Sequence, residues 1–318
     1  MTENKVVHAA QRAAFSVAID AAIKAVRGKG TEHMTEEAVK LINLAEPLLS
    51  KRYKASAFDA ARKFVQDPNG KWMEYAYRAI NEIDPHILKM NVLNLGYEGM
   101  FSGYNYVMEL RKKYDCNMPW ILLFDPTASC NLHCKGCWAA EYGNKLNMDF
   151  DTLDSIITQG KAVGTFMYIY SGGEPLVRKK DIIRLCEKHQ DCMFLSFTNG
   201  TLIDEQFTDD MLRVKNFIPA ISVEGFEEET DFRRGKGTYK AVVDAMTLLK
   251  KKKLPFGISC CYTSKNCDII GSEEYFDDMI ARGAKFAWFF TYMPVGEDAV
   301  PDLMVTAEQR EFMYHQIR

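Results

Sequence analysis

Residues 119–138, PWILLFDPTASCNLHCKGCW, decide the fold class of this chain. The segment begins with a short run of bulky apolar residues between two prolines, which is typical of a buried strand. Five similar runs follow, separated by amphipathic helical patterns, and this alternation predicts an α/β protein with a parallel sheet. The predicted strands are residues 120–124, 166–170, 192–197, 217–223, 254–261 and 286–290, and the predicted helices are 151–163, 179–190, 204–214, 239–253 and 273–282.

Six βα repeats favour an open, partial (β/α)6 barrel over a closed barrel of eight, and a doubly wound sheet is the alternative. An all-helical region precedes it. Apolar residues recur there every three or four positions, with breaks at Gly28–Gly30 and Pro68–Gly70 and a predicted N-cap at Thr35. We therefore expect a helical N-terminal domain, residues 1–117, without a chemical motif, and an α/β core, residues 118–318.

The bulk composition excludes several classes of partner. A chain of 318 residues with a net charge of −3 and a pI near 6.1 has no basic surplus for nucleic acid, so none is expected. The sequence contains no stretch of about 20 apolar residues, so no membrane span is expected. Nine unevenly spaced cysteines do not resemble a disulfide framework. They favour a reducing, cytoplasmic location, where clustered cysteines more often bind metal.

Unusual short segments follow all six predicted strands. They are CNLHCKGC, SGGEP, TNG, SVEG, CCYTSKN and TYMPVG, in chain order. Parallel α/β folds bind their ligands at the carboxyl ends of the strands. The sequence therefore predicts a single site built from these loops.

The first loop carries the motif Cys130-x3-Cys134-x2-Cys137. Thiolates select zinc or iron–sulfur clusters, and a structural zinc site needs four ligands. No second CxxC pair follows at a suitable distance, and His133 lies between the cysteines. Three thiolates instead suit a [4Fe–4S] cube with one iron open to the amine and carboxylate of a small molecule, although zinc stays an alternative.

CNLHCKGC and SGGEP resemble the CxxxCxxC and GGEP motifs of the radical S-adenosylmethionine (SAM) superfamily, in the usual order, and the resemblance covers residues 119–318. It implies that the three cysteines hold a catalytic [4Fe–4S] cluster and that SAM is the second cofactor. One departure is Gly136, because the residue before the third cysteine is often aromatic in the superfamily; here Trp138 follows the cluster motif.

The same resemblance implies a set of SAM-binding residues at the strand ends. The GGEP segment would bind the methionine amine, with Glu174 holding the ammonium or supporting the loop. The polar pair in SVEG would contact the ribose and carboxylate, and one arginine of DFRRGKGTY would reach the carboxylate. An ordinary turn or surface role is the alternative for each. The implied residues are Gly172, Gly173, Glu174, Pro175, Asn199, Ser222, Glu224 and Arg234.

The resemblance implies the chemistry as well. An external one-electron reductant, a flavodoxin or ferredoxin, would reduce the cluster, and reductive cleavage of SAM would give a 5′-deoxyadenosyl radical that abstracts hydrogen from a substrate. The chain resembles SPASM- or twitch-type members, whose C-terminal extension we expect to be missing here. Peptide or protein modification is therefore favoured. Modification of a lipid or other small molecule and a non-enzymatic iron–sulfur scaffold or electron carrier are the alternatives.

Overall fold

The computed structural model describes residues 5–50, 53–139, 146–296 and 298–318. The chain forms two compact units, Met1–Leu93 and Asn94–Arg318. None of the described helices is long and apolar enough to span a membrane.

The first unit is helical, as predicted. Its helices are α1 (Lys5–Val26), α2 (Gly30–Leu49), α3 (Ala55–Val65), α4 (Lys71–Glu82) and α5 (Pro85–Asn91). Val26, Met34 and Met73 form its small core. The two predicted breaks are confirmed, but the N-cap prediction at Thr35 is wrong. Helix α2 begins at Gly30 instead. The turn that leads into the helix needs left-handed φ angles, +77° at Gly28 and +80° at Gly30, which glycine adopts without strain.

A π-helical segment, Val92–Ser102, leads to α6 (Gly103–Tyr114). From Asn94 onward this segment belongs to the second unit, whereas the sequence suggested a boundary after residue 117. The Asn94 side-chain amide donates to Gln190 O and Cys192 O, both at 2.9 Å, and so joins it to the start of a strand. The helical domain expected at residues 1–117 therefore stays a proposal, since the two compact units divide between Leu93 and Asn94.

The second unit is built on six parallel strands in the order β1–β2–β3–β4–β5–β6. Neighbours in the sheet are also neighbours in the sequence, which makes it a half-barrel; a doubly wound sheet would reverse its order at a switch point. The predicted partial barrel is confirmed, and no predicted strand end is off by more than three residues. The strands are β1 (Ile121–Thr127), β2 (Met167–Gly172), β3 (Met193–Thr198), β4 (Phe217–Ser222), β5 (Gly257–Tyr262) and β6 (Ala287–Thr291).

Helices flank the six strands. They are α7 (Phe150–Ala162), α8 (Lys179–Lys188), α9 (Glu205–Val214), α10 (Glu227–Arg234), α11 (Thr238–Lys251), α12 (Cys267–Ile270), α13 (Glu273–Arg282) and α14 (Ala307–Ile317), with 3₁₀ turns at Pro175–Arg178 and Pro301–Leu303. Fully buried Tyr168, Tyr170 and Phe194 stack beneath them. The Tyr168 hydroxyl donates to Ile157 O of α7 at 2.9 Å, which identifies this face as the helical one.

The opposite, inner face is apolar and partly open. Ile169, Leu195 and Ala220 form its buried part. At the β6 edge, Phe197 packs edge-to-face on Trp288 and Phe290, whose side chains are 37% and 42% exposed. The half-barrel therefore presents an aromatic wall on its inner side, below the loops at the strand ends.

Candidate active site

The cysteine loop follows β1 and carries Cys130, Cys134 and Cys137, all partly buried. The loop turns tightly, because Leu132 N–H donates to Cys130 Sγ at 3.4 Å and Cys137 N–H donates to Cys134 O at 3.2 Å. Burial raises the pKa of Cys130, and the thiolates of the other two cysteines raise it further, so the three sulfurs lie within electrostatic reach of one another. Among the described residues, no three His, Cys, Asp or Glu side chains converge closely enough to hold a single metal ion.

Polar contacts fasten this loop to the ends of distant strands. Asn131 lies between the first two cysteines. Its Oδ1 accepts from Asn199 Nδ2, and its Nδ2 donates to Thr201 Oγ1, both at 2.8 Å. Further along the loop, Lys135 N–H donates to Arg233 O at 2.8 Å. The cysteines are thus held over the sheet from the end of β3 and from α10.

The Gly172–Gly173 pair lies directly against the start of the cysteine loop. Gly173 N–H donates to Thr127 O at 3.0 Å, and Glu174 N–H donates to Ser129 O at 2.8 Å. A Cβ atom on Gly173 would meet Ser129 O and lie 2.5 Å from Ala128 O. Only glycine fits at this position, because the backbones of the two loops approach too closely for a side chain.

The Glu174 carboxylate supports the loops from below. It is 1% exposed and accepts from Leu176 N–H (2.9 Å), Thr198 Oγ1 (2.7 Å) and Asn199 N–H (2.7 Å). Burial raises its pKa, and these hydrogen bonds partly oppose that effect. Both oxygens accept hydrogen bonds within the protein, which favours the supporting role of the two that the sequence left open. Pro175 begins the 3₁₀ turn that follows, as a first-turn proline.

Glu224 anchors two arginines at the end of β4. It is fully buried, and its Oε1 accepts from Arg233 Nη1 at 2.6 Å and from Arg234 Nε at 2.9 Å. Its Oε2 accepts from Cys261 N–H at 3.0 Å, which ties β4 to β5. Although burial acts to raise the pKa of Glu224, the two guanidinium groups hold it below its ordinary value.

Arg234 links this ion pair to the cysteine loop, because its Nη1 lies 4.0 Å from Cys134 Sγ. Burial raises the pKa of Cys134, and the positive charge of Arg234 opposes the rise and favours the thiolate. Both arginines lie in the last turn of α10, where sequence analysis predicted no helix. The signals for a helix in the sequence were three acidic residues in its first turn and Gly235 directly after its last turn.

The remaining predicted residues, Asn199 and Ser222, lie at the same edge of the sheet but make different contacts, and Cys261 lies near them. Asn199 is committed to Asn131 and to its own turn, since its Oδ1 accepts from Thr201 N–H at 3.0 Å. Ser222 ends β4 on the inner face, opposite Ser259 of β5. Cys261 is partly buried on that face, and burial raises its pKa to about 11. No contact of these side chains identifies a ligand, so their roles stay proposals.

Three residues that sequence analysis missed also contribute. Asp125 and the glycine pair line a cavity of about 320 Å³ together with Ala128 and residues 146–148. Within the described part of the chain, Asp125 Oδ1 has no hydrogen-bond partner, and burial raises the pKa of this carboxyl. Asn131 and Tyr292, the latter packed against Gly136, hold the cysteine loop. Only their places inside CNLHC and TYMPVG were available as signals.

Comparison with known proteins identifies the family of the domain that contains these loops. Residues 124–264 match the profile of the Radical SAM superfamily. The AdoMet-dependent heme synthase of Methanosarcina barkeri is 24% identical over 204 residues, which cover 62% of this chain and 58% of that protein. The cysteine-type anaerobic sulfatase-maturating enzyme of Clostridium perfringens (strain 13) is 30% identical over 167 residues, which cover 46% and 45%.

A solved structure shows the same fold. Native anSMEcpe with bound AdoMet and the Cp18Cys peptide superposes with a TM-score of 0.53 at 24% identity, covering 63% of this chain and 59% of that one. The chain spans about half the length of the two curated relatives above. The strand ends that carry the cysteines, the glycine pair and Glu224 all lie within the matched residues 124–264.

Proposed function

Because this chain carries a radical SAM domain, we propose that Cys130, Cys134 and Cys137 hold a [4Fe–4S] cluster whose open iron binds SAM. The observation that carries the proposal is the cysteine loop, which the glycine pair, Asn199 and Arg233 fasten over one end of the half-barrel. Three thiols on one loop, with Arg234 beside Cys134, form a donor set that suits such a cluster.

When bound, the cluster would supply the electron that cleaves SAM to methionine and a 5′-deoxyadenosyl radical, which abstracts hydrogen from a substrate. The protein's own residues would bind and orient. Gly172 and Gly173 let the cysteine loop pack directly on the backbone that follows β2, and Glu174 holds that backbone in place. Glu224 keeps Arg234 beside Cys134, where its charge would favour a thiolate and a bound carboxylate.

The substrate side of the proposal is peptide or protein modification. The curated relatives include a sulfatase-maturating enzyme, and one superposable structure contains a peptide. The inner face offers a partly open wall of Trp288 and Phe290, below the cysteine loop, against which a substrate can pack. The heme synthase relative keeps a small-molecule substrate as the second candidate.

The proposal is tested by anaerobic reconstitution with iron and sulfide, followed by reduction in the presence of SAM. The wild-type chain should bind about four irons through this loop and release 5′-deoxyadenosine. Replacing all three motif cysteines with Ala should abolish both, while Cys116→Ala, at an exposed cysteine outside the loop, should change neither. Unchanged iron and sulfide content in the triple variant would show that the cluster assignment is wrong.

SAM binding has its own test. Arg234→Ala should weaken the SAM affinity of the reconstituted protein by about 1–3 kcal/mol if a charge-assisted hydrogen bond is lost. Equilibrium dialysis with SAM measures the affinity, and Arg184→Ala, at an exposed position of α8, is the matched control. Equal affinities of the wild type and Arg234→Ala would remove Arg234 from the SAM site without touching the cluster.

A further inference from the structure

The position of Gly136, immediately before the third cysteine, is filled by a side chain from another strand. Gly136 is buried and has a φ angle of +66°. A Cβ atom built on it would meet the Tyr292 hydroxyl and lie 2.8 and 2.9 Å from two carbons of the Tyr292 ring. The phenol therefore occupies the space into which any other residue at position 136 would project.

Tyr292 is itself fixed by contacts that do not involve the cysteine loop. It follows β6 directly and is 4% exposed. Its backbone N–H donates to Tyr262 O of β5 at 3.0 Å, and its hydroxyl oxygen accepts from Val300 N–H at 2.9 Å. The ring is thus held at both ends, at the sheet and at the segment that follows it, and it forms a rigid wall for the loop.

We propose that Tyr292 is the positioning residue for Cys137, and that its ring sets the path of the loop at Gly136 and excludes water from that side of the thiolate. The inference rests on the cluster proposed above. It adds one residue, Tyr292, that influences how firmly the protein retains the cluster and at which potential the cluster is reduced. Solvent exposure and hydrogen bonds to the sulfurs set the reduction potentials of iron–sulfur clusters. The Tyr292 ring lies against Gly136, the residue before Cys137, and would act on the cluster through the position and solvent exposure of that ligand.

The first test compares Tyr292→Phe, which keeps the ring, with Tyr292→Leu, which removes it. Tyr314→Leu, at an exposed tyrosine of α14, is the matched control. In the reconstituted protein, Tyr292→Leu should lose iron to a chelator several-fold faster than the wild type and show a less negative reduction potential, because water reaches the sulfur. Tyr292→Phe should stay close to the wild type in both. A wild-type rate and potential in Tyr292→Leu would overturn the inference.

The second test needs no cluster. In the apo protein, alkylation of each cysteine is followed by mass spectrometry. Cys137 should react several-fold faster in Tyr292→Leu, while Cys130 keeps its wild-type rate. A folded wild-type chain that assembles no cluster would end the proposed function, yet alkylation of Cys137 would still decide the role of Tyr292. Equal alkylation of Cys137 in the wild type and Tyr292→Leu would overturn that role.

The contact itself is tested by a reciprocal pair. Gly136→Ala should speed alkylation of Cys137, because the new methyl group displaces the ring, and adding Tyr292→Leu should remove that increment. Gly28→Ala introduces a similar backbone strain at φ +77° with no atom within 4 Å, and it should leave Cys137 unchanged. If the effects of Gly136→Ala and Tyr292→Leu simply added, the two residues would act independently and the proposed contact would be refuted.

Discussion

Removal of the Glu224 carboxylate should destabilise the second unit more than any surface change of the same charge. In Glu224→Ala, the two guanidinium groups that the carboxylate joins would be left unpaired, with side chains only 10% and 11% exposed. Breaking a buried ion pair from one side costs about 3–5 kcal/mol. We expect the free energy of unfolding to fall by an amount in this range. The hydrogen bond that Cys261 N–H donates to the carboxylate is lost as well. Glu228→Gln, on the exposed side of the first turn of α10, should change stability by no more than about 0.5 kcal/mol.

Urea unfolding of the second unit measures the free energy, and hydrogen exchange of the Cys261 amide reports the local bond. The pH dependence has a fixed sign. The folded-state pKa of Glu224 lies below its ordinary value of 4.5, so its stabilising contribution is present above about pH 4.5 and is lost as the pH falls through the folded-state pKa. The difference between the wild type and Glu224→Gln should therefore shrink in acid. A Glu224→Ala loss below about 1 kcal/mol at neutral pH would refute the reasoning.

Two further predictions concern the loops around the cysteines. Gly173→Ala should sharply lower iron loading, because its Cβ would lie 2.5 Å from Ala128 O. Gly237→Ala, at φ +85° with no atom within 4 Å, should bind as much iron as the wild type. Equal iron loading of the two variants would contradict the close approach of the two loops. Asn131→Ala should lower stability by about 0.5–1.5 kcal/mol and speed loss of the cluster to a chelator, since two side-chain hydrogen bonds to the β3 turn disappear. His133→Ala, at an exposed position in the same loop, is its control, and an equally slow loss in both variants would contradict the fastening role.

The sequence predicted the half-barrel well because its strands are short apolar runs with clear ends. Runs such as Phe166–Tyr170 and Phe217–Val223 need only local patterning to be recognised, and their sequential pairing follows from the βα repeat. The helix α10 was missed because EEETDFRR has few apolar residues to show a helical period, so only the capping and charge signals marked it.

The side-chain contacts within the site were beyond local patterning. Glu174 was recognised as part of a motif, but its partners Thr198 and Asn199 belong to the next βα unit, and only the folded sheet brings them within 2.7 Å. Likewise, nothing adjacent to Gly136 in the sequence indicates that Tyr292 fills its space. The hydrophobic pattern of the sequence predicts at which edge of the sheet a residue lies. Its hydrogen-bond and packing partners depend on how the loops from different strands approach one another in the folded chain.

The anchoring of the cysteine loop by later parts of the chain has a consequence during synthesis. Arg234, which approaches Cys134, lies 100 residues further along, and Tyr292 lies further still. At about 5–20 residues per second, the ribosome exposes the three thiols for roughly 5–20 s before that arginine emerges. A nascent chain in this interval carries cysteines that no completed loop yet protects. Oxidants or adventitious metals present during translation would therefore reach them more readily than in the finished protein.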